Sequence, residues 1–204
     1  MEKTNGYITH GGIMHGIVLL FIVAFGMAQT ISAAEPGEGA LMKKARELHN
    51  HIVTIDTHVD FEADLATPGR NPGVRLDNQK VDLVKMEEGG LDAIFFAVWT
   101  PQETLTDENF AKSYALALDK FNAIFRMTAV YNADKVALAL HPDDIVRIKK
   151  TGKRAALIGV ENGFAIGNDL ANLRYFHDLG ARYVTITHMG YNQLGDSSDN
   201  RKEI

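Results

Sequence analysis

Cysteine is absent from the 204 residues. That absence excludes a disulfide, a thiolate metal ligand, a cysteine nucleophile and a lipid attached through sulfur. Any transition metal would have to be held by His, Asp and Glu, a donor set that favours zinc or a similar borderline ion. Basic charge is also in short supply: 21 Lys and Arg against 26 Asp and Glu leave a net charge of −5. The chain therefore carries no electrostatic footprint for nucleic acid, and no basic cluster dense enough for an anionic lipid surface. What remains is ordinary globular composition, 46% hydrophobic and 23% charged, which is enough to build a core.

The longest apolar stretch, Ile17–Phe25, is well short of the ~20 residues that span a bilayer. It is followed by small residues and by Ser32-Ala33-Ala34, the order of a secretory signal: a short apolar core, then a small-x-small cleavage site before Glu35. Its first residues are atypical, because Lys3 is offset by Glu2. Weak apolar character continuing to Ile31 leaves an uncleaved membrane anchor as the alternative. Residues 1–34 are read as a signal peptide and 35–204 as the folded domain, exported after cleavage.

Apolar runs and helical periods alternate along that domain. Ala40–His49 has helical spacing, and Ile52–Asp60 is an apolar strand. A Pro/Gly/Asn loop follows at Pro68–Pro72, of the kind that crosses a barrel mouth. Val81–Glu88 reads as a short helix stopped by Gly89-Gly90. Asp92–Trp99 is a strand apolar enough to be buried on both faces, as in parallel sheets. Phe110, Tyr114, Leu118, Phe121 and Phe125 mark one face of a long helix over Asn109–Tyr131. Pro142 opens another helix to about Lys150. Ala155–Glu161 is a third strand, Asp169–Leu179 a helix closed by Gly180, and Arg182–His188 a fourth strand. This order predicts an α/β fold with a parallel sheet and right-handed crossovers. Four strands are half of a TIM-like (β/α) barrel; an open doubly wound sheet is the alternative.

The chemistry gathers where strands end. His58 and Asp60 close the first strand, two residues apart, and strict alternation would put both on one face. His-x-Asp is a weak motif on its own, and ordinary polar capping of a strand end explains it as well. By the same parity His51 should face the other side of the strand, while His49 reads as a solvated residue at the end of a helix. Glu161 ends an apolar strand, where a carboxylate without a partner would be costly. It is read as a metal ligand, against a capping or salt-bridged role. His188 ends Val184-Thr-Ile-Thr and could equally be a core histidine bonded to backbone. The four groups together reinforce one another as a metal centre.

These same stretches, Asp56-Thr-His-Val-Asp60, Gly159-Val-Glu-Asn-Gly163 and Tyr183-Val-Thr-Ile-Thr-His188, resemble the membrane (renal-type) dipeptidases, zinc peptidases built on a β/α barrel. The resemblance covers about residues 50–195. It implies that His58 and Asp60 bind one zinc, that Glu161 bridges two, and that His188 contacts substrate and stabilises the tetrahedral intermediate. The implied reaction is hydrolysis of a dipeptide by a metal-activated hydroxide. Other metal-dependent amidohydrolases, acting on N-acyl amino acids or lactams, and a non-catalytic exported binding protein are the alternatives. The expected partner is a dipeptide and not nucleic acid, and the resemblance allows a homodimer. The family usually has Gly-His-Asn-Asp where this chain has Thr57-His-Val-Asp60. It also draws two more zinc-binding histidines, a substrate-binding arginine and a catalytic aspartate from the second half of its barrel. The chain is therefore expected to correspond to the N-terminal half, with at most one weakly held zinc and negligible turnover when alone.

Overall fold

The computed structural model describes residues 39–198. The segment read as a signal peptide lies outside them. Helix α1 (Ala40–His51) leads to strand β1 (Ile55–Asp60), then α2 (Leu83–Gly89) and β2 (Ala93–Trp99). After these come the long helix α3 (Asp107–Arg126), strand β3 (Val136–Leu138) and helix α4 (Pro142–Lys150). Strand β4 (Arg154–Glu161), helix α5 (Ala171–Asp178) and strand β5 (Ala181–Val184) complete the order. All strand pairs are parallel, β1 with β2, β2 with β4, and β4 with both β3 and β5. The expected parallel α/β sheet is present.

Local chemistry explains the helix limits. Asp82 accepts the Lys85 N–H at the start of α2, and Gly90 ends that helix at φ 67°, a conformation that suits glycine. Thr106 caps α3 through the Asn109 N–H. The helix predicted to reach Tyr131 does so, but its last turn, Met127–Tyr131, widens into a π-helical one.

The two faces of the sheet differ. Ile94, Phe96, Val98, Ala156, Ile158 and Val160 pack under Phe121, Ile124 and Phe176 in one continuous core. On the opposite face Ala93, Ala155 and Leu157 meet Ile148 of α4, while Phe95, Trp99 and Glu161 farther along are only half-buried. Strand β2 is thus not sealed on both faces, as its composition suggested. The half-open face carries the candidate site.

Other sequence expectations also need correction. Among the described residues there are five strands, not four: Val136–Leu138, only three residues long, pairs with the start of β4. Helix α1 runs through His51, so that histidine is helical and not on a strand face. His49 is exposed but not merely solvated, because its Nε2 lies 3.1 Å from Gly90 O.

Candidate metal centre

Strand β1 does not alternate regularly. Asp56 pairs with Ile94 but Val59 pairs with Phe96, so one extra residue bulges at 57–58. The His58 N–H donates to Asp56 Oδ1 at 2.9 Å and closes that bulge. Simple parity therefore fails across it, yet His58 Nε2 still comes within 3.8 Å of Asp60 Oδ1. A bulge at a strand end re-aims a side chain, and here it aims the imidazole along the sheet.

Its target is Glu161, the last residue of β4. The carboxylate is 14% exposed, with Oε2 3.0 Å from His58 Nε2 and Oε1 3.4 Å from His188 Nε2. The chain turns sharply after it: Asn162 has φ 75°, unusual outside glycine, and is fully buried. Its side chain makes the turn tenable. Oδ1 accepts from Phe164 N and from Asn192 Nδ2, and Nδ2 donates to Thr100 O.

His188 does not end a strand. Strand β5 stops at Val184, and the histidine lies in the bent segment beyond. That segment is held against Gly163, whose N–H donates to Thr185 O at 2.9 Å. A Cβ on residue 163 would stand 2.9 Å from Ile186 O, so only glycine allows this approach. The His188 ring rests edge-on against Trp99 at 5.9 Å.

Two contributors went unnoticed in the sequence. Tyr183 places its hydroxyl 3.1 Å from His58 Nδ1 and donates to Thr57 O at 3.2 Å. Burial, then the carboxylates of Glu161, Asp60 and Asp56, push this phenol up to about 12, so it stays protonated. Lys120 is 2% exposed, with Nζ 5.5 Å over the Trp99 ring and 3.5 Å from Glu62 Oε2. Tyr183 stood inside a motif already singled out, but only the pairing of β4 with β5 reveals its partner. A lysine on an amphipathic helix carries no sign of burial.

His58, Asp60 and Glu161 offer one nitrogen and two oxygens, all within 4.8 Å of one another. Donors around a tetrahedral zinc at about 2.0–2.2 Å lie roughly 3.4 Å apart. The observed 3.0 Å and 3.8 Å separations from His58 Nε2 straddle that value. The set therefore fits a zinc-like ion with a fourth position left for water or substrate. His188 stands beyond this triad, on the other oxygen of Glu161.

The family described as membrane dipeptidase (Peptidase family M19) matches residues 42–204. Dipeptidase tcpJ of Claviceps purpurea is 33% identical over 127 residues, covering 61% of this chain and 30% of that protein. Dipeptidase 3 of Mus musculus is 30% identical over 152 residues, 72% of this chain and 29% of its own. Among solved structures, the probable dipeptidase PvdM from Pseudomonas aeruginosa superposes with a TM-score of 0.69 at 26% identity. That match covers 78% of this chain and 40% of PvdM. The chain thus spans less than half the length of the curated relatives it matches and of PvdM. The parallel sheet of β1–β5 is the part of a β/α barrel that these residues build.

Proposed function

This chain belongs to the membrane dipeptidase family, Peptidase family M19, and on that footing we propose that the whole protein is a zinc-dependent dipeptidase. The observation that carries the proposal is the convergence of His58, Asp60 and Glu161 from two strands that are not neighbours in the sheet, β1 and β4. His58 Nε2, Asp60 Oδ1 and Glu161 Oε2 would hold one ion. Glu161 Oε1 lies on the other side, 3.4 Å from His188 Nε2, and Glu161 would be the residue shared with a second zinc in the complete enzyme. Zinc bound there supplies Lewis acidity, polarising the amide carbonyl and acidifying water.

The residues of this chain position and stabilise. His188, steadied by Trp99, is placed to donate from Nε2 to the carbonyl oxygen of the scissile amide as negative charge grows on it. The Asn162 turn fixes the direction in which Glu161 leaves its strand. Trp99 and Phe95, half-buried on the face that carries the site, would limit water around the amide.

The test is hydrolysis of dipeptides by full-length protein before and after chelation, with zinc then restored. Loss on chelation and recovery with zinc are expected; activity that survives complete metal removal would sink the mechanism. N-acyl amino acids and lactams assayed in parallel distinguish a dipeptidase from a broader amidohydrolase. We also propose export, which rests on the apolar Ile17–Phe25 core and the Ser32-Ala33-Ala34 site. Sequencing the N-terminus of the protein recovered from its producing cells should then begin at Glu35. A chain still beginning at Met1 would instead mean an uncleaved anchor or no export.

A further inference from the structure

We propose that Tyr183 is the positioning residue that orients His58 for metal, its hydroxyl oxygen accepting from Nδ1–H while Nε2 is turned to the site. This rests on the reading of His58 as a metal ligand. The Tyr183 hydroxyl has one proton and donates it to Thr57 O at 3.2 Å. Its lone pairs are left to face His58 Nδ1 at 3.1 Å. With that proton on Thr57 O, the phenol oxygen is an acceptor for Nδ1–H, and a neutral imidazole protonated at Nδ1 binds a metal through Nε2. That is the nitrogen which faces Asp60 and Glu161. Without the phenol oxygen the Nδ1–H of a ligating ring loses its acceptor and the ring loses a contact that fixes its orientation. Ligating histidines commonly have their second nitrogen fixed in this way, and loss of such a partner costs about 10–100-fold in metal affinity.

The sheet is built to deliver the phenol. Asp60, Ala97, Gly159 and Tyr183 lie in one lateral row across β1, β2, β4 and β5. The two central positions are small. A Cβ on residue 159 would lie 2.0 Å from the Tyr183 ring Cζ, so the ring occupies the space a side chain there would take. Phe95 closes the other side, its ring centre 5.1 Å from that of Tyr183. A tyrosine held by packing alone would not need its hydroxyl to reach β1; this one touches both Thr57 and His58.

The experiment compares full-length wild type with Tyr183→Phe, which keeps the ring and its packing. Zinc affinity is measured by competition with a chromophoric chelator, cobalt coordination by its visible spectrum, and melting of the metal-free proteins by calorimetry. Tyr183→Phe is expected to bind zinc about 10–100-fold more weakly, with a perturbed cobalt spectrum and an unchanged metal-free melting temperature. Gly159→Ala, which displaces the ring, should weaken zinc binding in the same direction. Equal zinc affinity in wild type and Tyr183→Phe overturns the inference. So does a loss matched by an equivalent fall in metal-free stability, which would mean a purely structural role. Wild type that binds no zinc would instead overturn the metal reading of the site.

Discussion

Glu161 Oε2 lies 3.0 Å from His58 Nε2 although β2 runs between their two strands. The contact forms because the β1 bulge aims the imidazole inward and because Ala97, opposite Asp60 on β2, is too small to stand between them. The carboxylate lies between the two histidines, 3.0 Å from His58 Nε2 and 3.4 Å from His188 Nε2. Glu161→Gln keeps the shape but removes the charge. It should weaken zinc binding by at least ~100-fold, beyond the 10–100-fold typical of groups that merely support a ligand. Equilibrium dialysis against zinc is the measurement, and near-normal affinity in the variant would remove Glu161 from the ligand set.

His188 should separate from the metal ligands in a different assay. On the proposal that its Nε2 donates to the developing oxyanion, His188→Ala is expected to lower kcat by ~10²–10³-fold, the usual cost of one such donor. Bound zinc should stay the same. Steady-state kinetics with metal analysis of the same samples checks this, and lost zinc would make His188 a ligand instead.

Asn162 has a structural task at the same strand end. Its side chain answers Phe164 N, Asn192 Nδ2 and Thr100 O while its backbone sits at φ 75°. Asn162→Ala is expected to lower unfolding stability by roughly 2–4 kcal/mol, since each buried polar group left without a partner costs about 1–3 kcal/mol. Urea denaturation measures it. A change within experimental error would show that the turn needs no side-chain support.

Acid should loosen the foot of the sheet. Burial raises the Asp92 carboxyl, but Lys149 Nζ at 2.6 Å and the backbone N–H and hydroxyl of Thr54 outweigh it and hold the group below its ordinary range. Asp144, bonded by Arg147 and by the N–H groups of Leu140 and His141, is lowered to about 2. A carboxylate depressed on folding stabilises fully above its unfolded pKa, near 3.9, and loses that contribution as pH falls through the folded value. Melting temperature should therefore drop between about pH 5 and pH 2, and Asp92→Asn should flatten part of that slope. Identical slopes in the two proteins would mean that Asp92 is not coupled to folding.

Several features follow from the sequence alone. Without cysteine, no thiolate could meet a metal. The apolar runs before Asp60, Trp99 and Glu161 are legible because a buried strand must be apolar and must change character where it ends. The stop at Gly90 is equally local, since it satisfies backbone groups within a few residues, whereas the N-cap falls at Asp82, inside the helix read as beginning at Val81. The three-residue β3 is missed because so short a run has no period of its own and exists only against β4. The bulge at 57–58, the bent path to His188, the buried Lys120 and the bond from Tyr183 to His58 were decided by tertiary structure. Each depends on which residue of a distant strand or helix lies opposite, and lateral register is set by packing across the whole sheet, not by any one segment.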